Sequence, residues 1–280
     1  MKRFHLLHPV LIALLAALIL MPGSAQGART AGDPGGHTNR GVKYARAKQY
    51  DKAIEEFTKA IEAQPKDPKN YRNRALAYRL SKEPKKAAAD YAKAIELSPD
   101  SADARTGSAR LLLRDKKAGA ALKELDKALE IDPRNRPALR LRAYIYLQQG
   151  KWEKAIADYN VSINSIADVD IEGRTRRGFA YRNLKKYDLA LEDFTKVIEA
   201  QPKDVEAYRR RVYIYRLLKQ DDKATTDLKR ILKLKPTDAD AKKQLRALES
   251  AAPAASLAAK PRAQKKPGMK AKPAPSPSPR

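Results

Sequence analysis

The chain has 280 residues and a formal net charge of +26 at pH 7, and it contains no cysteine and three histidines. The lack of cysteine excludes disulfide frameworks, cysteine-based zinc sites and thiol catalysis. His5 and His8 lie near the N-terminus, and His37 is expected to be solvated. The chain therefore has almost no histidine that could form a Ser-His-Asp triad or a histidine-rich metal site. With no glycine-rich phosphate loop either, we expect a protein that is not an enzyme and carries neither metal nor cofactor.

Residues 1–25 have the composition of a bacterial signal peptide. Lys2 and Arg3 precede an uncharged apolar stretch over residues 9–21, and three small residues follow as a cleavage site. The apolar part is shorter than the roughly 20 residues that a membrane-spanning helix needs. We expect cleavage and a periplasmic or secreted mature protein, with retention as an inner-membrane anchor as the alternative. Residues 26–33 are expected to form a short flexible segment.

A pattern of about 34 residues then repeats six times between residues 34 and 250. Prolines mark the ends of five copies, and the first three prolines are 34 residues apart, as are the last two. These prolines are Pro65, Pro99, Pro133, Pro202 and Pro236, and Ala167 takes the corresponding position in the fourth copy. A fixed period of this length predicts a solenoid built from stacked supersecondary units.

Further positions recur at fixed distances before each of these five prolines and Ala167. The alanines twelve residues before it are Ala53, Ala87, Ala121, Ala155, Ala190 and Ala224. The large apolar residues eight before it are Phe57, Tyr91, Leu125, Tyr159, Phe194 and Leu228. A tyrosine or leucine lies 21 before it, and a small residue, or valine in the sixth copy, lies three residues earlier still. Apolar residues at steps of three and four predict amphipathic helices, and the small residues predict close helix contacts.

These columns resemble the tetratricopeptide repeat family, which has small, tyrosine, alanine, bulky and proline positions at this period. The resemblance covers residues 34–250 and implies an all-α fold, a right-handed superhelical solenoid of six antiparallel helix pairs with a C-terminal capping helix. The implied units are residues 34–67, 68–101, 102–135, 136–170, 171–204 and 205–238, with the cap at 238–250. No copy has the early tryptophan of the family. Members of this family usually serve in protein–protein interaction.

The resemblance also implies where a partner would bind. In this architecture the first helix of each pair lines a concave groove. The residues at the groove positions are Arg72, Arg79, Arg110, Arg140, Tyr144, Arg176, Phe179, Arg182, Arg209, Arg210, Tyr213 and Arg216. Arginine suits such a groove because its planar guanidinium binds carboxylates bidentately and stacks on rings. We expect the C-terminal half to be the richest part. The alternative is a solvated basic face with rings that pack between repeats.

The carboxylate clamp that some members of this family use is not reproduced. Thr38, Val42, Asp103 and Gly107 occupy four of its five positions, and only Asn73 matches. The specificity of that clamp for chaperone C-termini is therefore not expected here.

The charge is spread over the repeats and the tail. The tail, residues 251–280, carries seven basic and no acidic side chains, and residues 1–25 carry two, which leaves +17 on residues 26–250. A tail so poor in large apolar groups is expected to be disordered. We expect a non-enzymatic scaffold of the bacterial cell envelope that binds an extended or acidic segment of a partner protein. The alternative is a basic adaptor for anionic polymers or membrane surfaces; an exported protein rarely meets nucleic acid.

Overall fold

The computed structural model of the protein describes residues 34–163 and 170–258. These residues form 13 α-helices and no β-strand, so the all-α repeat fold expected from the sequence is confirmed. The expected signal peptide, residues 26–33, Ala167 and the tail from residue 259 lie outside the described residues.

The helices form six pairs and one additional helix. The first helices of the pairs are α1 (Pro34–Arg46), α3 (Pro68–Leu80), α5 (Ala102–Arg114), α7 (Arg136–Gln148), α9 (Ile171–Asn183) and α11 (Val205–Leu217). The second helices are α2 (Tyr50–Ala63), α4 (Pro84–Leu97), α6 (Ala118–Ile131), α8 (Trp152–Ile163), α10 (Tyr187–Ala200) and α12 (Asp221–Leu234). The additional helix, α13 (Ala239–Ala258), follows the sixth pair.

Side-chain caps define where the first helices begin. Asp67 accepts a hydrogen bond from the Lys69 backbone N–H at 2.9 Å, and Asn135 accepts one from Ala138 at 3.0 Å. Such caps satisfy backbone donors that have no partner within the helix and contribute about 1 kcal/mol each. The described caps of the second helices lack a side-chain bond. The first helices α3, α5, α7, α9 and α11 therefore each begin with a side-chain cap.

The turn inside each pair contains one residue in the left-handed region. In five pairs this residue is a lysine, with φ between 55° and 66°, and in the fourth pair it is Gly150, with φ of 70°. The lysines are Lys48, Lys82, Lys116, Lys185 and Lys219. Left-handed geometry costs a residue with a Cβ roughly 1–2 kcal/mol, a cost that glycine avoids. The tight turn brings the two helices of each pair side by side.

The repeated alanine and large apolar residues form the core. All six alanines are 0 % exposed, and the six large residues are at most 3 % exposed. The large residue of the second helix presses against a small residue of the first. A Cβ added to Gly41 would lie 2.5 Å from the Phe57 ring, and one added to Gly178 would lie 2.8 Å from Phe194. The small column therefore exists because a bulky side chain occupies its space.

The described helices fall into two compact units, divided between Pro202 and Lys203. In the first unit five helix pairs pack in chain order, and each first helix also contacts the first helix of the next pair. The first helices α1 to α9 thus form a continuous layer. In the second unit α13 packs on α12 and buries Ala241 and Leu248. α13 extends to Ala258, past the expected end at 250.

A polar contact that the sequence analysis did not anticipate joins the two helices of four pairs. An arginine of the first helix donates from Nε and Nη2 to both carboxylate oxygens of an aspartate 16 residues later, at 2.7–2.9 Å. We call these pairs the clasps: Arg74–Asp90, Arg142–Asp158, Arg177–Asp193 and Arg211–Asp227. Their aspartates are at most 7 % exposed. Four of the many arginines therefore hold helices together and are not available to a partner.

Candidate partner-binding groove

The arginines and rings at the groove positions lie on the first helices of both units. In the first unit they are Arg72 and Arg79 on α3, Arg110 on α5, Arg140 and Tyr144 on α7, and Arg176, Phe179 and Arg182 on α9. In the second unit Arg209, Arg210, Tyr213 and Arg216 share α11. Each set has its own surroundings.

Between α7 and α9, a glutamate neutralises the groove arginines. Glu172 accepts a hydrogen bond from Arg140 Nη2 at 2.6 Å and another from Arg176 Nε at 2.9 Å. Asp170, which caps α9, lies 3.5 Å from Arg140 Nη2. Both guanidinium groups thus have acidic partners in the free protein. The position of Glu172 four residues before Arg176 is a sequence signal for this pairing that the groove analysis did not weigh.

The same two helices present rings that are covered by guanidinium groups. The guanidinium carbon of Arg176 lies 4.8 Å from the centre of the Tyr144 ring, and that of Arg182 lies 4.4 Å from the centre of Phe179. Phe179 also meets Trp152 edge to face, with ring centres 5.8 Å apart. These rings therefore serve both in packing between repeats and as a half-buried strip on the groove face.

Between α3 and α5 the groove arginines have fewer acidic neighbours. Arg72 Nη1 donates to Asp103 at 3.0 Å, and Asn135 Nδ2 donates to the other oxygen of Asp103 at 3.2 Å. Arg79 and Arg110 make no ion pair with any described residue. Together with Tyr91 these arginines line a narrow cavity of about 20 Å³. The N-terminal section is therefore the part of the first unit that keeps unneutralised cations.

Burial shifts the pKa values of two side chains between α3 and α5. Burial and the neighbouring Arg79 lower the pKa of Arg110 to about 10, so the guanidinium stays charged at pH 7 in surroundings that disfavour the charge. Burial also raises the pKa of the Tyr91 phenol, against the opposite effect of Arg79 and Arg110. Tyr91 is consequently a neutral phenol next to two cations, and its oxygen accepts a hydrogen bond from Arg79.

In the second unit, α11 combines paired and unpaired groups. Arg209 lies 3.0 Å from Glu206 and also contacts Asp238, whose pKa is lowered chiefly by the backbone N–H of Ala241. Tyr213 is 51 % exposed and lines a cavity of about 470 Å³ with Arg216. Arg210 is partly exposed on the same helix and has no ion pair with a described residue. The cavity therefore combines the Tyr213 ring and the Arg216 guanidinium with apolar side chains such as Leu228 and Ile231.

The sequence-based expectation for His37 was wrong. Its side chain is 12 % exposed, and Nδ1 lies 2.9 Å from a Glu56 oxygen that also accepts from Arg40 Nε at 2.7 Å. Burial alone would raise the pKa of Glu56, but hydrogen bonds from His37, Arg40 and Lys59 outweigh it and hold the pKa at about 2. Glu56 lies 16 residues after Arg40, at the spacing of the clasps.

The described ranges contain neither a metal site of histidine and acidic side chains nor a membrane-spanning helix. Across residues 34–163 and 170–258, no group of histidine and acidic side chains is arranged to hold a metal ion. Over the same residues, no helix combines the length and apolarity needed to cross a membrane.

Comparison with known proteins points to one repeat family. Models described as tetratricopeptide repeat match residues 38–102, 112–157 and 171–204. No curated protein matches the sequence. Among solved structures, the Cut9–Hcn1 hetero-tetramer of the APC/C is 17 % identical with a TM-score of 0.62, over 79 % of this chain and 43 % of that one. The present chain thus spans less than half of that protein.

Two further solved structures are matched over nearly their whole length. PilF of Pseudomonas aeruginosa is 15 % identical, with a TM-score of 0.64 over 78 % of this chain and 97 % of that chain. YrrB, described as a TPR protein with an unusual peptide-binding site, is 25 % identical, with a TM-score of 0.60 over 70 % and 99 % of the two chains. The likeness to PilF and Cut9–Hcn1 concerns the fold.

Proposed function

The chain belongs to the tetratricopeptide repeat family, and from this premise we propose that it is a non-enzymatic scaffold that holds an extended, acidic segment of a partner protein. Proteins with this family fold are typically interaction scaffolds without enzymatic activity. We further propose that the scaffold works in the bacterial cell envelope, in the periplasm or outside the cell, after its N-terminal signal is removed. The partner segment would lie along the first helices of the pairs.

The observation that carries the proposal is the strip of arginine-covered rings on α7 and α9. Guanidinium groups lie 4.8 Å and 4.4 Å from the centres of the Tyr144 and Phe179 rings. Such a stack presents apolar ring surface beside the Nη groups of Arg176, which Glu172 does not engage, so apolar and acidic groups of one extended segment can both bind to it. The peptide-binding site named for YrrB supports the choice of an extended segment as ligand.

Site-specific photo-cross-linking in intact cells tests the proposal. The photoreactive residue p-benzoylphenylalanine is placed at Tyr144 on the groove face, or at Lys127, an exposed residue of α6, as the control. The proposal predicts a discrete adduct with one protein at Tyr144, recovered from the envelope fraction, and none at Lys127. Absence of an adduct at Tyr144, or the same adducts at both positions, would contradict the scaffold role.

The second candidate is a basic adaptor for anionic polymers or membrane surfaces. It is favoured by the +17 charge of residues 26–250 and by the seven basic residues of the tail. For binding of this kind, the logarithm of the binding constant falls linearly with the logarithm of the salt concentration, with a steep slope, because counterions are released. A steep slope that becomes shallow when residues 259–280 are removed would support this candidate over the groove.

A further inference from the structure

The turns inside the helix pairs lie together along one edge of the first unit. Each helix packs beside the next one after a short turn, so successive helices run in opposite directions and α1 to α9 include five first helices that run the same way. The turns that follow these five helices therefore share one edge, and the connections between pairs share the opposite edge. We call the first of these the turn edge, and it comprises residues 43–52, 77–86, 111–120, 145–154 and 180–189.

The turn edge concentrates positive charge. Its five segments hold twelve lysines, four arginines and five acidic residues, which gives a net charge of +11. Three connections at the opposite edge are fully described, residues 60–69, 94–103 and 128–137, and these segments of the same length have a net charge of −3. The positive charge of the first unit is therefore concentrated on one edge and is not spread evenly over its surface.

The lysines of the turn edge are accessible to a partner. All twelve are exposed. Four of them are the residues with positive φ in this unit, and none of the four makes an ion pair with a described residue: Lys48, Lys82, Lys116 and Lys185. Glycine avoids the cost of this geometry, as Gly150 does in the fourth pair. Lysine at this position of the turn therefore lowers stability, and what it adds is an exposed charge.

The cations of the turn edge are of a different kind from those of the groove. The candidate groove residues include nine arginines and no lysine, whereas the turn edge has twelve lysines and four arginines. A lysine ammonium is a compact point charge on a flexible chain, while the planar fork of arginine selects single oxyanions of matching geometry. The turn edge thus suits a surface with many anionic groups better than one defined anion.

Aromatic rings accompany these lysines. The second helices α2, α8 and α10 begin with Tyr50, Trp152 and Tyr187, which are partly exposed. Three further tyrosines of the same turns have a lysine ammonium 5.4–5.8 Å from the ring centre: Tyr44, Tyr78 and Tyr146. The three described connections at the opposite edge contain no aromatic residue. Because tyrosine and tryptophan favour the level of lipid headgroups, lysines among such rings indicate a lipid surface rather than a soluble polyanion.

We propose that the turn edge of the first unit docks on a membrane surface rich in anionic phospholipid. Each basic residue near such a surface strengthens binding about fivefold. Neighbouring turns are separated by roughly one helix diameter, about 10 Å, which is close to the Debye length at about 0.1 M salt, so their charges act together. The inference goes beyond the groove scaffold and does not rest on it. It assigns the charge-based contact of the second candidate function to a defined surface.

Co-sedimentation with lipid vesicles tests the proposal. The chain without residues 1–25 is compared with a variant that combines the substitutions Lys48→Gly, Lys82→Gly, Lys116→Gly and Lys185→Gly. Glycine suits positive φ, so this variant should retain the fold, which circular dichroism checks. We expect the parent to bind vesicles of equal parts phosphatidylglycerol and phosphatidylcholine, and the variant to bind about tenfold or more weakly. Equal binding of the parent to vesicles of phosphatidylcholine alone would overturn the proposal.

A second variant controls for net charge. It combines four substitutions of exposed lysines that lie at or toward the opposite edge: Lys66→Gln, Lys69→Gln, Lys127→Gln and Lys196→Gln. Because these lysines are more than a Debye length from the turn edge, the control should keep the affinity of the parent within about twofold. The same loss in both variants would show that only the total charge matters, and the proposal would fail.

Two further arms separate the turn edge from the tail and from soluble polyanions. The tenfold effect of the glycine variant should persist when both chains end at residue 258. If the shortened chain no longer binds vesicles, the tail carries the contact and the turn edge does not. Heparin is the probe for a soluble polyanion. Heparin binding that depends on the four lysines, in a parent chain that binds no vesicles, would overturn the assignment to lipid.

A fluorescent label reports which edge meets the membrane. The chain has no cysteine, so a single introduced cysteine can carry an environment-sensitive fluorophore. Gln149→Cys places the label on the turn edge and Gln64→Cys places it on the opposite edge, and both glutamines are exposed. We expect a blue shift with the anionic vesicles for the label at position 149 alone. Equal shifts at both positions, or a shift at position 64 alone, would contradict the proposed orientation.

Vesicle binding and photo-cross-linking at Tyr144 fail independently. A chain that binds anionic vesicles through the turn edge but cross-links to no partner would lose the scaffold role and keep the membrane contact. A groove adduct at Tyr144 in a chain that binds no vesicles would do the reverse.

Discussion

The clasps and the cavity between α3 and α5 use the same side chain in opposite ways. In the clasps, each guanidinium donates to both oxygens of an aspartate on the neighbouring helix. In the cavity, Arg79 and Arg110 make no ion pair with a described residue, and Arg79 donates a hydrogen bond to the Tyr91 phenol instead. Arg74 and Arg79 are five residues apart on one helix, so the difference comes from what each side chain faces.

The difference shows that position on the groove face does not by itself make an arginine a ligand. Arg140 and Arg176 satisfy the groove pattern, yet Glu172 binds both of them in the free protein. Because a bound acid must be displaced before a partner can use these groups, they contribute less to binding than unpaired ones. Arg79 and Arg110 need no such exchange.

The largest expected effect in this comparison is on the clasps. We expect Arg142→Ala to lower the free energy of unfolding by about 3–5 kcal/mol, since it leaves the buried Asp158 carboxylate without its partner. Urea denaturation followed by circular dichroism measures the change.

Arg114→Ala is the matched control for the clasp. Arg114 pairs with Asp115 at 2.8 Å, but both side chains are about half exposed, so the loss should stay within roughly 0.2–1 kcal/mol. A similar loss in the two variants would remove the distinction between clasp and surface arginines.

The second largest expected effect is the pH dependence of stability at the Arg40–Glu56 pair of the first repeat, which has the same spacing as the clasps. Glu56 has a pKa of about 2 in the folded protein, below its ordinary value of 4.5. Its contribution to stability is therefore complete above pH 4.5 and is lost as the pH falls toward 2. We expect Glu56→Gln to cost about 2 kcal/mol at pH 6 and progressively less below pH 4.5, measured by thermal unfolding.

Glu130→Gln, on the exposed face of α6, serves as the reference for general acid effects. The cost of this variant should stay within about 0.5 kcal/mol, because it replaces an exposed side chain that makes no ion pair with a described residue. A pH-independent cost of Glu56→Gln would show that His37 and Arg40 do not stabilise the charged carboxylate.

The repeat architecture could be read from the sequence because each repeated position has a local steric cause. Ala121 and Leu125 belong to columns that are fully buried in every pair, and Asp67 begins a helix as its position after a proline suggests. Periodicity of this kind reports on packing between neighbouring helices, which is the same contact in every repeat.

The ion pairs between the two helices of a repeat could not be predicted from packing columns in the sequence. Asp90 and Asp158 resemble surface residues of a charge-rich helix, and only the packing of the second helix on the first places them beside Arg74 and Arg142. The arginine–aspartate spacing of 16 residues recurs in four pairs and was a usable signal. The cavity between α3 and α5 has no repeated counterpart, so no periodic pattern could reveal it.

The most direct test of the account is the thermal stability of Arg110→Gln without any ligand. If Arg110 is an unneutralised cation beside Arg79 whose charge the fold disfavours, removing that charge should stabilise the protein. We predict a rise in Tm of about 2–4 °C, which corresponds to about 1 kcal/mol in a domain of this size. Lys127→Gln should leave Tm unchanged. A fall in Tm for Arg110→Gln would show that Arg110 is a structural group like the clasps, and it would contradict the assignment of this section as the free cationic site.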